Sequence, residues 1–129
     1  MGVIVDTSVW VEYFRRSESA EAIEVDRLIN SGSLVLVGAV CSELLQGART
    51  EREFELLNDT IRGLSYLDAD KGTWERAGRL LFEMRRQGTS IPLVDAVIAA
   101  LALQHGHVVF TLDTHFRQVP GLVFHQPAQ

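Results

Sequence analysis

Four carboxylates stand alone in stretches that carry no other formal charge. They are Asp6 within residues 1–11, Glu43 within 32–48, Asp95 within 93–103 and Asp113 within 106–116. Apolar stretches fold into the interior, where an ionised carboxylate costs several kcal/mol unless another group compensates its charge. Four such acids favour one shared compensator, and a divalent metal ion with oxygen ligands is the natural one.

The donor types indicate which ion would bind. Asp and Glu oxygens suit Mg²⁺ or Mn²⁺, whereas Zn²⁺ more often recruits His or Cys. The only cysteine is Cys41, and the histidines are interpreted as structural: His105, His107, His115 and His125. Mg²⁺ takes few protein ligands and keeps waters, which leaves room for phosphate oxygens of a substrate.

A bound ion of this kind can lower the pKa of a water molecule to make a nucleophile, and it can stabilise a leaving oxygen. The predicted metal ligands and catalytic residues are the same four: Asp6, Glu43, Asp95 and Asp113. Structural explanations stay open for three of them, with Asp6 as a helix cap, Glu43 as the partner of an arginine and Asp113 as a loop acid. The hydroxyls of Thr7, Ser8 and Thr111 either orient ligands of this site or serve as helix-cap and strand-end residues.

Short apolar runs alternate with helical patterns along the chain. Strands are predicted at 3–5, 34–37, 108–110 and 122–124, with a further short strand at 64–67, and helices at 8–13, 21–30, 40–48, 51–62, 71–86 and 93–104. No linker or internal repeat divides the chain. The pattern predicts one α/β domain over residues 1–129, with a short parallel sheet flanked by helices on both faces.

This architecture explains how the four acids meet. Asp6 follows the first predicted strand and Asp113 follows the strand at 108–110, so both lie at the carboxyl edge of a parallel sheet, where ligands bind. Asp95 lies near the start of its helix, where the helix dipole favours an anion. Glu43 lies early in a helix that directly follows a strand.

The bulk properties constrain the setting. The net charge is −5, and two bound divalent ions would bring it to −1 (−5 + 4). Of the twelve basic residues, eleven are arginines, which bind phosphate well, although their clusters are equally explained as solvated helix ends. A single cysteine and no visible signal peptide favour the cytoplasm, and no membrane contact is expected.

The order and context of the acids resemble the PIN domain and, within it, the VapC-type toxins of bacterial toxin–antitoxin pairs. The matching segments are IVDTSVWVEYF at 4–14, CSELLQGA at 41–48, PLVDAVIAALAL at 92–103 and FTLDTHF at 110–116. The family pattern begins with an apolar strand ending in Asp-Thr/Ser, matched by Asp6, Thr7 and Ser8. It continues with a helical Glu, a helical Asp in an apolar helix, and an Asp in a T-x-D-x-x-F context, matched by Glu43, Asp95 and Asp113.

The resemblance implies a PIN-like fold and a Mg²⁺- or Mn²⁺-dependent endoribonuclease. It also implies a cognate antitoxin that silences the enzyme, a homodimer and a larger complex of toxin with antitoxin. The short helix after Asp6 carries Trp10, Val11 and Phe14, more large apolar groups than its length requires. We interpret them as part of the antitoxin docking surface, with a basic side chain of the antitoxin reaching the acids. The alternative is that Trp10 lies wholly in the interior.

Other acidic α/β proteins fit less well. A phosphoryl-accepting receiver domain needs a late lysine, but the only lysine is Lys71, in mid-chain. A haloacid-dehalogenase-type phosphatase needs a second Asp two residues after the first, where this chain has Ser8. The alternative of another class is a non-catalytic RNA- or metal-binding α/β module.

Overall fold

Four short parallel strands, β1 to β4, form the sheet in a computed structural model that describes residues 2–127. The strands span Val3–Val5, Leu34–Val37, Ser65–Leu67 and Val108–Phe110. Their spatial order is β3-β2-β1-β4, and every neighbouring pair is parallel. The sequence therefore predicted a parallel sheet correctly.

Six α-helices and one 3₁₀-helix connect and follow these strands. They are α1 (Thr7–Arg15), α2 (Ala20–Ser31), α3 (Gly38–Gln46), α4 (Glu51–Arg62), α5 (Lys71–Arg86), α6 (Leu93–His105) and the 3₁₀-helix Thr114–Gln118. Pairs of helices link successive strands, as parallel pairing requires. All three residues of β1 are buried, so both faces of this central strand are covered.

One predicted strand is absent from the sheet. The segment at 122–124 makes a single parallel bridge, from Phe124 to Val109, and is not a strand. Two backbone hydrogen bonds hold it there, from Val109 N–H to the Val123 carbonyl and from His125 N–H to the Val109 carbonyl. Both of these bonds are made by Val109, so the contact stays a single bridge and does not extend into a ladder. The short segment at 64–67 instead supplies the fourth strand.

The core lies on both sides of the sheet and absorbs most of α6. Seven consecutive residues of this helix, Ala96 to Ala102, are buried. This burial follows from a helix that is apolar nearly all round. Among residues 2–127, none of the helices combines the length and apolarity that crossing a bilayer requires.

Trp10 also belongs to the core, which corrects the prediction that it forms a docking surface. Its side chain is fully buried and stacks on Phe14 at 5.9 Å between ring centroids, with Tyr13 edge-on at 5.5 Å. Val11 and Phe14 of the same helix remain exposed, at 43% and 52%. A helix on the sheet surface buries one stripe only, and Trp10 lies on that stripe.

Candidate metal centre

The strand order places a ligand-binding crevice between β1 and β4. The chain proceeds from β1 outward through β2 to β3, and then returns to the other side of β1 for β4. This reversal is a topological switch point, and ligands of open α/β sheets bind outside the carboxyl ends of the strands at such a point. Asp6 directly follows β1, and Asp113 lies just beyond β4.

Asp6 is held in place through one of its two carboxylate oxygens. The hydroxyls of Ser8 and Thr111 each donate to its Oδ2 at 2.8 Å, and the Ser8 backbone N–H donates to the same atom at 3.4 Å, capping α1. Within residues 2–127, no hydrogen bond reaches Oδ1. Asp6 is thus a helix cap, as one open explanation held, yet it keeps an oxygen for a ligand although the residue is only 5% exposed.

Glu43 enters the same region from α3. The Thr7 hydroxyl, one residue after Asp6, donates to Glu43 Oε1 at 2.6 Å. In the part of the chain that the structure describes, no arginine pairs with Glu43. The explanation of Glu43 as an arginine partner is therefore wrong, and Thr7 holds this carboxylate beside the β1 end.

The pKa of Asp95 is shifted by its burial and by the acids around it. Burial first, and then the negative charges of Asp6 and Asp113, raise the pKa of Asp95 to about 6. Glu43 raises the same pKa to a smaller degree, and His115 opposes the shift. Acids that crowd one another in a partly buried site behave in this way. Asp95 and Asp113 therefore lie together, and the charges of Asp6 and, least of all, Glu43 also act on Asp95.

His115 is a site residue that sequence reasoning missed. Its Nδ1 lies 3.1 Å from Asp113 Oδ1 and 4.0 Å from Asp95 Oδ2. Asp113 caps the 3₁₀-helix through the His115 backbone N–H at 2.9 Å, which returns the His115 ring toward the acids. The sequence signal that could have identified His115 is its position two residues after Asp113. The interpretation of His115 as purely structural is corrected.

The donor set fits a divalent metal ion. Asp95, Asp113 and His115 each offer one ligand atom, and these atoms lie within 4.8 Å of one another. Within residues 2–127, Asp6 and Glu43 fall outside this group of three, although the charge of Asp6 is near enough to raise the pKa of Asp95. Burial first, and then the neighbouring acids, raise the pKa of Asp95, and a bound cation would relieve both effects. Carboxylate-rich sites of this kind suit Mg²⁺ or Mn²⁺.

An apolar groove begins at the acids and runs between α1, α3 and α4. Its volume is about 430 Å³. Thr7 and Glu43 line it at the acidic end, and its apolar wall includes Val11, Phe14, Leu44, Leu56 and Leu57. Phe14 and Leu56 are more than half exposed, at 52% and 55%. A groove of this size with exposed apolar walls is typical of a binding surface.

Comparison with known proteins agrees with this geometry. The PIN domain family profile matches residues 3–122. Ribonuclease VapC11 of Mycobacterium tuberculosis is 33% identical over 118 residues, which cover 88% of each chain. The tRNA(fMet)-specific endonuclease VapC of Shigella flexneri is 27% identical over 99 residues, covering 73% of this chain and 75% of that relative.

Solved structures show the same fold. The crystal structure of VapBC2 from Rickettsia felis, bound to a DNA fragment from its promoter, superimposes with a TM-score of 0.83. The match covers 97% of this chain and 98% of the other at 19% identity. At that identity the likeness concerns the fold alone.

Proposed function

The chain belongs to the PIN domain family, and on that premise we propose that it is the toxin of a toxin–antitoxin pair. As such it is a divalent-metal-dependent endoribonuclease that cleaves RNA phosphodiester bonds. The observation that carries the proposal is the convergence of Asp6, Glu43, Asp95 and Asp113 at the switch point. We assign these four residues as metal ligands and catalytic residues, and Mg²⁺ or Mn²⁺ as the ion.

Each acid has a distinct support. Ser8 and Thr111 hold one oxygen of Asp6 and leave the other for the ion, and Thr7 orients Glu43. His115 lies against Asp113 and adds a nitrogen donor at the rim. A divalent ion in this site lowers the pKa of a water molecule and stabilises negative charge on phosphate and leaving oxygens. Asp95, with its raised pKa, holds a proton more readily than an ordinary aspartate until a cation compensates it.

The deciding experiment is a cleavage assay on transfer RNA and on a mixed RNA pool. We expect fragments in Mg²⁺ or Mn²⁺, none with excess EDTA, and recovery when the ion is added back. Asp6→Asn, purified in parallel, controls for contaminating nucleases, because asparagine still caps α1 but is a poorer ligand. Cleavage that survives EDTA, or that is equal in Asp6→Asn, would remove the proposal. RNA binding without cleavage would favour the non-catalytic module.

The apolar groove is the proposed binding site of the antitoxin. A partner segment with apolar side chains would fill the wall formed by Phe14 and Leu56 and would place a basic side chain beside Glu43. Such a cation competes with the metal for the same carboxylates and so silences the enzyme. We also propose that the chain forms a homodimer and that this dimer assembles with the antitoxin.

The groove is tested with the protein encoded beside this one. Phe14→Ala should weaken its affinity by more than about tenfold, since a central apolar anchor contributes 2 kcal/mol or more. Ile23→Ala is the matched control, because Ile23 is 61% exposed on α2 and lies outside the groove. Circular dichroism verifies that both variants fold. Equal affinity of Phe14→Ala and wild type would exclude the groove as the docking site.

A further inference from the structure

A second cavity, of about 300 Å³, opens beside Asp113 on the side of β4 away from the apolar groove. We propose that this cavity is a nucleotide subsite that holds a nucleotide of the RNA next to the bond that is cleaved. It would stack the base on Phe124 and bind the phosphate through Arg117. The inference rests on the proposed ribonuclease function and specifies which residues beside that site would bind the RNA substrate.

The cavity is continuous with the candidate metal centre. Thr111 and Asp113 line it, and Thr111 also donates a hydrogen bond to Asp6. A chain of nucleotides whose scissile phosphate lies at the acids would therefore have this opening beside it. A volume near 300 Å³ is at the lower end of the range for small-molecule sites, which suits one nucleotide.

The far wall of the cavity is held rigidly. Phe124 forms the bridge to Val109, and the backbone N–H of the next residue, His125, donates to the Val109 carbonyl at 2.9 Å. The His125 ring pairs with Glu24, which is buried, and packs edge-on against Phe110 at 5.4 Å. A preformed wall of this kind loses little conformational entropy when a ligand binds.

Arg117 and Phe124 supply the two groups that a nucleotide needs. The Arg117 guanidinium lies 5.9 Å from the centroid of the Phe124 ring, and both residues line the cavity. No carboxylate forms an ion pair with Arg117 within residues 2–127, and its side chain is exposed. Single-stranded RNA is bound by aromatic rings that stack on bases together with arginines that meet phosphates.

Stacking, rather than charge, would favour a nucleotide over a free anion in this cavity. Glu21 and Asp113 also line it, so a phosphate ion would meet one cation and two acids. A nucleotide adds the stacking of its base on Phe124, which an inorganic phosphate lacks. The ligand that we propose for this cavity is therefore an aromatic base joined to a phosphate.

Cleavage kinetics on a single-stranded RNA test the subsite. Phe124→Leu and Arg117→Gln should each raise KM by about tenfold with kcat nearly unchanged, since one stacked base accounts for a factor of this order. Phe124→Tyr and Arg117→Lys, which keep the ring and the charge, should stay within about threefold of wild type. Arg62→Gln is the matched control, because Arg62 precedes β3 at the opposite, amino edge of the sheet.

Two further measurements separate the outcomes. Cytidine monophosphate titrated into ¹⁵N-labelled protein should shift the amide signals of Thr114, Arg117 and Phe124, and inorganic phosphate should shift them far less. An unchanged KM in folded Phe124→Leu and Arg117→Gln would overturn the subsite. If these variants also bound the antitoxin more weakly, the cavity would be assigned to the antitoxin instead. If wild type cleaves no RNA, the proposed function fails, and the nucleotide titration alone then decides whether the cavity binds nucleotides.

Discussion

Two regions of this molecule bury carboxylates and treat them in opposite ways. At the carboxyl edge of the sheet, Asp95 is 13% exposed, and burial and neighbouring acids raise its pKa to about 6. Beneath the second cavity, Glu24 is 3% exposed, and its hydrogen bonds with Arg27, and then with His125, lower its pKa to about 2 despite burial. Among the described residues, His115 is the cationic group that opposes the shift at the first site, whereas the carboxylate of the second site is paired with both Arg27 and His125.

The difference teaches how to distinguish a functional acid from a structural one. Arg27 donates to both oxygens of Glu24, at 2.7 and 2.6 Å, and His125 meets one of them. Glu24 is therefore held in its ionised form inside the fold, because its charge is paired and hydrogen-bonded, and removing its partners would leave an uncompensated buried charge. Asp95 lowers the stability of the metal-free fold, a cost that proteins retain where a ligand relieves it.

The largest expected effect is on catalysis. Asp95→Asn should lower metal-dependent RNA cleavage by more than about a hundredfold, since even the groups that merely orient metal ligands contribute 10- to 100-fold. Asp26→Asn is the control, because Asp26 is an exposed acid that hydrogen-bonds Tyr13. Single-turnover cleavage rates in Mn²⁺ give the comparison. Wild-type rates in Asp95→Asn would show that Asp95 is not a ligand.

The second effect is on stability at the paired site. Glu24→Gln should lower the free energy of unfolding by about 2 kcal/mol, because it leaves His125 and Arg27 without their shared carboxylate. Urea unfolding at pH 7 measures this loss. Glu21→Gln, a change of the same type on the same helix, should cost less than about 0.5 kcal/mol. If Glu24→Gln and Glu21→Gln lost the same unfolding free energy, the proposed difference between the paired and the unpaired acid would be wrong.

The third effect is the pH range over which Glu24 acts. A carboxyl whose folded pKa lies near 2, below the ordinary value of 4.5, stabilises the fold fully above about pH 4.5 and loses this contribution as the pH falls toward 2. The difference in unfolding free energy between wild type and Glu24→Gln should therefore shrink between these values. A difference that stays constant from pH 5 to pH 2.5 would contradict the assignment.

The smallest effect is the stability of the metal-free active site. In EDTA, Asp95→Asn should raise Tm by a few degrees, because removing one buried like charge stabilises the fold by about 1 kcal/mol. Millimolar Mn²⁺ should raise the Tm of wild type and of Asp26→Asn but change that of Asp95→Asn little. A wild-type Tm that does not respond to Mn²⁺ would count against a preformed site.

The sequence predicted much of the fold because the signals were local. The apolar runs of β1, β2 and β4 and the helical pattern of α6 lie within a few residues of each other, and each appears in the structure as predicted. The isolation of Asp6, Glu43, Asp95 and Asp113 in apolar stretches was likewise visible without coordinates, and so was their convergence at the carboxyl edge. That these four are the ligands stays a proposal.

The tertiary structure decided what depends on distant contacts. Trp10 is buried rather than exposed because its face of α1 meets the core, and the segment at 122–124 is a bridge because both of its bonds to β4 go to one residue, Val109. The pairing of Glu24 with His125 joins residues 101 positions apart, and no local pattern encodes it. Local sequence determines which residues repeat on one face of an element, whereas packing alone determines which faces meet, and the charge balance of each buried acid depends on that meeting.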